Sequence, residues 1–229
     1  MYQWDFTPVL ANADLLWQGL LGTLSITGTA LAFGLPLGLL LALGRLSPRR
    51  WLAWPAGFVI EFFRTTPPLV QLFWFFFALP ILIDIRMTPY LAAAITFSIQ
   101  SSAFFAEVFR AGIVSVERGQ WEAGRAIGMR GPQVMRRVVL PQAVKRMIPA
   151  FTERAIELMK TTTLVATVSY ADLLYQANEL AQKTFRPIEI FTATALIYFV
   201  VIFGLSLIVQ AVERRLAVSG DNTVRQGAG

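Results

Sequence analysis

The 229-residue chain contains no cysteine and no histidine. Without cysteine there is no disulfide framework, no thiol nucleophile and no cysteine-based metal site. Without histidine the commonest metal ligand and general base is missing too, so neither a metal site nor a resident cofactor is expected. No Gly-x-x-x-x-Gly-Lys-Ser/Thr phosphate loop occurs, and the chain is therefore not expected to hydrolyse ATP. Charge is scarce: Asp, Glu, Lys and Arg make up 15% of residues, against about 25% in an ordinary soluble domain. What remains is 55% hydrophobic and 13% aromatic, with a mean hydropathy of +0.57. That balance places the chain in the membrane class before any motif is read.

The net charge is +6 and the isoelectric point about 10.2, values that would suit a nucleic-acid binder. The positive residues track the loops between apolar runs instead, so no nucleic acid is expected. Met1–Leu10 carries no basic residue, and its nearby charges are Asp5 and Asp14. It does not read as a cleaved signal peptide, and the first apolar run is expected to remain as a helix.

A bilayer core takes ~20 apolar residues as helix. Leu15–Gly44 is charge-free and too short for two helices. A second run covers about 54–82, interrupted by Glu61, Arg64 and Pro67-Pro68; a third covers 87–116, and a clean one 190–212. The segment 150–176 opens with Glu153, Arg154, Glu157 and Lys160 and turns apolar through Thr161–Ala171. Read as a span it gives five in total; the alternative is a helix lying in the interface. Charge decides between them. With five spans Arg45, Arg49 and Arg50, the basic residues of the 117–149 loop, and Arg214, Arg215 and Arg225 all share one side. The positive-inside rule then sets the N-terminus outside and the C-terminus in the cytoplasm. The fold class expected is all-α, a polytopic membrane protein forming a single domain over 1–229.

The 117–149 loop carries Glu122-Ala123-Gly124, then Gly128, then Val138 and Leu140-Pro141. Arg118 to Ile127 contains a short helix over 121–127, for which Gly128 is a C-terminal cap. Gly131-Pro132 is a turn from which a second helix begins. This pattern resembles the loop signature of ABC importer permeases: Glu-Ala-Ala, three residues, Gly, nine residues, Ile, one residue, Leu-Pro. Every spacing is met, with Gly124 in place of the second Ala and Val138 in place of Ile. Three further runs are similar to the polar amino acid uptake family: Glu61-Phe62-Phe63-Arg64-Thr65-Thr66-Pro67-Pro68-Leu69-Val70-Gln71, Glu107-Val108-Phe109-Arg110-Ala111-Gly112-Ile113, and Leu158-Met159-Lys160-Thr161-Thr162-Thr163-Leu164. In the last, Thr161 stands where the family commonly has Asp.

The resemblance implies a type I ABC importer permease of the bacterial inner membrane, itself not an enzyme. It implies that Glu122, Ala123, Gly124, Gly128, Leu140 and Pro141 couple to a separate ATPase. Implied partners are two ATP-binding cassette subunits holding ATP and Mg, a second permease copy or paralogue, an external solute-binding protein and an amino acid substrate.

Ionisable groups inside spans are costly and are functional candidates by default. Glu61 with Arg64, and Glu107 with Arg110, stand at i,i+3 and can each neutralise on one helix face; they are candidates for helix pairing or gating. Glu153, Glu157 and Lys160 share a helical face, with Thr161 and Thr162 just above. That face offers acceptors for an ammonium and donors for a carboxylate, so these five are the candidate substrate pathway. Pro67-Pro68 predicts a kink in the second span. The run Phe73–Phe77 covers every helix face and is assigned no site. Gly34-x-x-x-Gly38 fits close helix approach. A secondary carrier would show two matching halves, and none is present; a membrane enzyme would need a polar catalytic cluster that the composition does not supply.

Overall fold

The computed structural model describes residues 2–221, with side chains through Leu207 and at Ala211. Arg225 lies outside the described residues, as do the side chains of Arg214 and Arg215. The described residues are all-helical: α1 (Thr7–Ala11), α2 (Ala13–Arg45), α3 (Arg50–Thr65), α4 (Pro68–Phe73), α5 (Leu79–Ile83), α6 (Pro89–Val114), α7 (Arg118–Ala126), α8 (Gly131–Val134), α9 (Leu140–Thr161), α10 (Leu173–Thr184) and α11 (Pro187–Asp221). A π-wound turn, Trp74–Ala78, joins α4 to α5, and a second, Met135–Val139, joins α8 to α9. A 3-10 stretch, Thr162–Val168, continues α9.

Among the described residues three helices are long and apolar enough to cross a membrane: Ala13–Arg45, Pro89–Val114 and Pro187–Leu207, with mean hydropathies of 2.0, 1.4 and 2.3 in their most apolar stretches. The kink expected in the second run is sharp. Arg50–Thr65 and Pro68–Ile83 meet at 105°, and together they pass the same test of length and composition. The segment 150–176 is not one helix: α9 gives way to the 3-10 stretch, Ser169 turns into the left-handed region, and Asp172 caps a new helix.

Helix α6 lies at the centre, with 72% of its most apolar stretch buried, compared with 11% for α11. Its start follows from local chemistry: Pro89 suits the first turn, and the Thr88 hydroxyl accepts from Leu91 N at 3.2 Å. Against it lies α2, close enough for the Ser101 hydroxyl to donate across to Ala30 O at 3.2 Å. Gly34 faces Ser101, and a Cβ on Gly38 would meet Phe105 Cβ and Ser102 O at 2.8 Å each. The close approach expected of this glycine pair is realised, and it requires hydrogen at both positions.

These contacts also fix direction. Ala30 to Gly38 of α2 match Ser101 to Phe105 of α6 in rising order, so the two helices run parallel. Glu189 at the start of α11 binds Tyr2, and Leu196–Val201 line a groove with Val9–Leu20; α11 therefore runs the same way. Helix α3 returns antiparallel, Gly44 of α2 meeting Leu52 and Ala56. So does α9, whose Met147 packs on Gly112 and whose Phe151 packs on Phe105 and Phe109.

The core follows the same axis. At one end Leu16, Leu20, Leu173, Ala177 and Ile190 cluster. In the middle Ile26, Ala30, Leu72, Phe97, Leu158 and Val165 join five elements. At the other end Val108, Val116, Val134, Val139, Ala143 and Met147 seat the 117–149 loop on the bundle.

Candidate functional site

Two features stand out from the apolar bundle: a charged cleft between α6 and α9, and the helical loop at one end of it. The cleft begins with helix period. Glu153, Arg154 and Glu157 of α9 lie within five residues, and the Arg154 guanidinium donates to the Glu157 carboxylate. On α6 Arg110 grips Glu107 through two edges, with Nε to Oε1 at 2.9 Å and a terminal nitrogen to Oε2 at 2.8 Å. On α3 Arg64 reaches Glu61 at 3.5 Å. Both i,i+3 pairs expected of the sequence therefore form, one bidentate and half-buried, the other looser.

Two cavities open along this wall. The smaller, about 80 Å³, is lined by Pro68, Gln100, Ser101, Phe104, Arg154, Glu157 and Thr161, among others. The larger, about 400 Å³, takes in Arg64, Phe104, Glu107, Arg146, Glu153 and Arg154. The structure thus brings Glu153, Glu157, Thr161, Arg64 and Glu107 to one wall. Glu61 and Arg110 stand beside it as partners of Arg64 and Glu107.

Other expected pathway residues are placed differently. Thr162 is fully buried and turns inward, its hydroxyl 3.3 Å from that of Thr27 on α2. Thr161 spends its hydroxyl proton on Glu157 O at 2.9 Å. Lys160 is exposed and makes no ion pair among the described residues.

Several polar or aromatic residues of the wall were not among the expected site residues, Arg154 of α9 among them. Phe104, Gln100 and Ser101 come from α6, and Arg146 donates to Ser115 O at the cleft's loop end. A signal did exist for two of them. Ser98, Gln100, Ser101 and Ser102 are all buried in a helix otherwise rich in Ala and Phe, and polar groups in an apolar span seek partners or a path.

The loop is built from two short helices set against each other. Helix α7 ends in a Schellman motif: Met129 N donates to Gly124 O at 3.1 Å and Gly128 N to Arg125 O at 2.9 Å. Gly128 takes φ +82, a left-handed conformation that glycine adopts without strain. Gly124 is buried, and a Cβ there would meet Val134 of α8 at 3.0 Å. Its small size serves the packing of α7 on α8. Glu122, Ala123 and Gly128 are exposed, as are Leu140 and Pro141, and Ile127 is 76% exposed. Gln142 ties the pair to α9 by donating to Gln120 at 3.3 Å. The loop therefore offers an outward face of Glu122, Ala123 and Ile127 on a rigid base.

Among the described residues no group of three or more potential metal ligands converges. Anionic carboxylates and cationic guanidiniums line the two cavities, and the chemistry they offer is reversible ion and hydrogen bonding.

Known proteins resemble the chain in sequence and in fold. The chain is 36% identical over 217 residues to the L-cystine transport system permease protein TcyB of Bacillus subtilis (strain 168), covering 94% of this chain and 90% of that protein. It is 36% identical over 218 residues to the glutamine transport system permease protein GlnP of Escherichia coli (strain K12), covering 94% and 99%. Among solved structures, an amino acid ABC transporter crystallised with histidines superposes with a TM-score of 0.89 at 34% identity, over 93% of this chain and 100% of that one. The family described as the binding-protein-dependent transport system inner membrane component matches residues 34–218, and the chain belongs to it.

Proposed function

We propose that the chain is the membrane-spanning permease subunit of an ATP-driven importer that carries a polar amino acid, or a similar small zwitterion, across the bacterial inner membrane. The observation that carries this reading is the position of the signature loop. It sits at the end of the bundle where α2 and α6 both finish, with Glu122 and Ala123 turned outward. An external motor docked there bears on α6 and α9 together, because α8 and α9 pack on Val108 and Val116.

Helix direction supports a reading of five passes. Three long helices that run parallel need two returns between them, supplied by α3–α5 and by α9 with its 3-10 extension. The same geometry gathers Arg45, Arg49, Arg50 and the loop's basic residues at one end, which supports a cytoplasmic loop and C-terminus and an external N-terminus. The charged wall of Arg64, Glu107, Glu153, Arg154 and Glu157 is unsuited to lipid. A second permease, identical or paralogous, covers it and completes the path.

The mechanism is alternating access. ATP and Mg bind in two partner ATPase subunits; their closure moves the α7 helices of both permeases, and the bundles shift about the cleft. An external binding protein delivers substrate to the opposite end. Glu153 and Glu157 on the wall offer acceptors to the ammonium of a zwitterion, and Lys160, exposed one turn beyond Glu157 and outside both cavities, offers a charge of the other sign to its carboxylate.

Glu122→Lys tests the reading. Expression with the neighbouring genes and purification in mild detergent should recover an ATPase subunit with the native chain and lose it with the variant. Breaking a charge-assisted contact at an interface costs ~2–5 kcal/mol, so uptake should fall about tenfold or more while the permease level in the membrane holds. Native uptake in the variant overturns the coupling assignment.

A further inference from the structure

Phe104 holds a position that no other apolar residue of the cleft shares. It lines both cavities, and Arg154 alone does the same. Two guanidinium groups from different helices approach its ring: the Arg154 central carbon lies 4.9 Å from the ring centroid and that of Arg64 lies 5.9 Å away. Each arginine is neutralised by a glutamate on its own helix, Glu157 for Arg154 and Glu61 for Arg64. Arg64 Nε is buried with no hydrogen-bond partner. The face of an aromatic ring is the favourable neighbour left to such a guanidinium.

We propose that Phe104, clamped by Arg64 and Arg154, is the barrier between the two cavities and acts as the inner gate of the transport path. The proposal rests on the reading that the 117–149 end faces the cytoplasm. The ring stands on α6, the central helix, while its two clamps stand on α3 and α9, the helices that run back past it. Arg64 is also the residue just before Thr65 and the 105° bend. Any motion that swings α3 or α9 relative to α6 must pull an arginine away from the ring, and the two cavities then join. Closure restores both contacts, so the gate has two discrete states. The cation–π pairing needs no substrate, which leaves the closed state stable when the path is empty.

The absence of cysteine makes a direct test simple. Thr161→Cys sets a single thiol in the smaller cavity, and Gly119→Cys sets one on the exposed loop. Inside-out vesicles carrying the assembled transporter are treated with a membrane-impermeant maleimide. Gly119→Cys should label fast and Thr161→Cys slowly. Adding Phe104→Ala should speed labelling at position 161 about tenfold, the factor that corresponds to 1.4 kcal/mol, between the values for exposed and for desolvated cation–π contacts. Phe104→Trp, which keeps a ring for the arginines, should stay slow. Phe104→Leu keeps bulk without the π face and should fall between; it carries the test if the alanine variant does not reach the membrane. Labelling at 161 that is equally slow in both the leucine and alanine variants overturns the gate. Labelling of Gly119→Cys only in right-side-out vesicles overturns the sidedness beneath it.

Discussion

The chain interrupts its helices twice within the bundle, and the two breaks are made by different physics. At 66–68 the cause is covalent. Pro67 and Pro68 have no N–H to give, so the helix cannot continue its ladder, and the chain turns by 105°. The orphaned carbonyls are then served by one side chain: Gln71 Nε2 donates to Phe63 O at 3.0 Å and to Thr66 O at 2.9 Å. At 168–172 no proline is involved. The helix tightens to 3-10, Ser169 enters the left-handed region at φ 60 and ψ 30, and Tyr170 N closes the turn on Val165 O at 3.3 Å. Asp172 then caps α10 by accepting from Tyr175 N at 2.8 Å. One break is imposed by missing donors and repaired by a side chain; the other is a conformational choice that packing against Gly19 and Gly22 holds in place.

That difference decided what the sequence revealed. Pro67-Pro68 announces a kink, and the kink is there. Nothing in Val165–Asp172 announces a turn, because its residues are mostly apolar or β-branched and none is Gly or Pro. The segment 150–176 therefore reads as one stretch, although the helix breaks inside it. The loop behaved in a mixed way. Its signature is a matter of spacing and is legible, as is the role of Gly128 at a helix end. That Gly124 faces Val134 inside the chain is set by how α7 lies on α8, which spacing does not encode. The cleft was half legible: charges at i,i+3 pair on their own helices as helix geometry requires. Phe104 looked like any aromatic residue of a span, because which face of α6 meets the cleft depends on where Gly34 and Gly38 admit α2.

The largest effect is expected at the first break. Gln71→Leu preserves volume but removes the side-chain donor to both carbonyls. Leaving a buried acceptor unpaired costs ~1–3 kcal/mol, so the thermal unfolding midpoint in mild detergent should fall clearly below the native one. An unchanged midpoint would show that the two prolines hold the bend without help and would erase half of the contrast.

A smaller effect is expected at the cap of the second break. Asp172→Ala removes an N-cap worth ~1 kcal/mol and should lower the midpoint moderately. Asp172→Asn sharpens the point. Asn caps as well as Asp, and Asp172 is fully buried with Oδ2 unpartnered, a poor setting for a carboxylate. The asparagine variant should match or exceed the native midpoint. If Asn and Ala fall equally, it is the charge and not the cap that holds the turn.

The smallest effect separates the breaks by sign. An L-residue in the left-handed region costs ~1–2 kcal/mol, whereas glycine tolerates it and loses ~0.5–1 kcal/mol through extra freedom in the unfolded chain. Ser169→Gly should therefore raise stability by about 0.5 kcal/mol, the difference of those terms. At the first break glycine has nothing to relieve, since Thr66 sits at φ −79 and Pro67 at φ −59, and the Thr66 hydroxyl donates to Phe62 O at 2.6 Å. Thr66→Gly should lower the midpoint by losing that bond and freeing the unfolded chain. Opposite shifts in the two midpoints would confirm that one turn is held against its backbone preference and the other with it. A fall in both would mean that Ser169 is kept for a contact of its own, and the second break would then resemble the first.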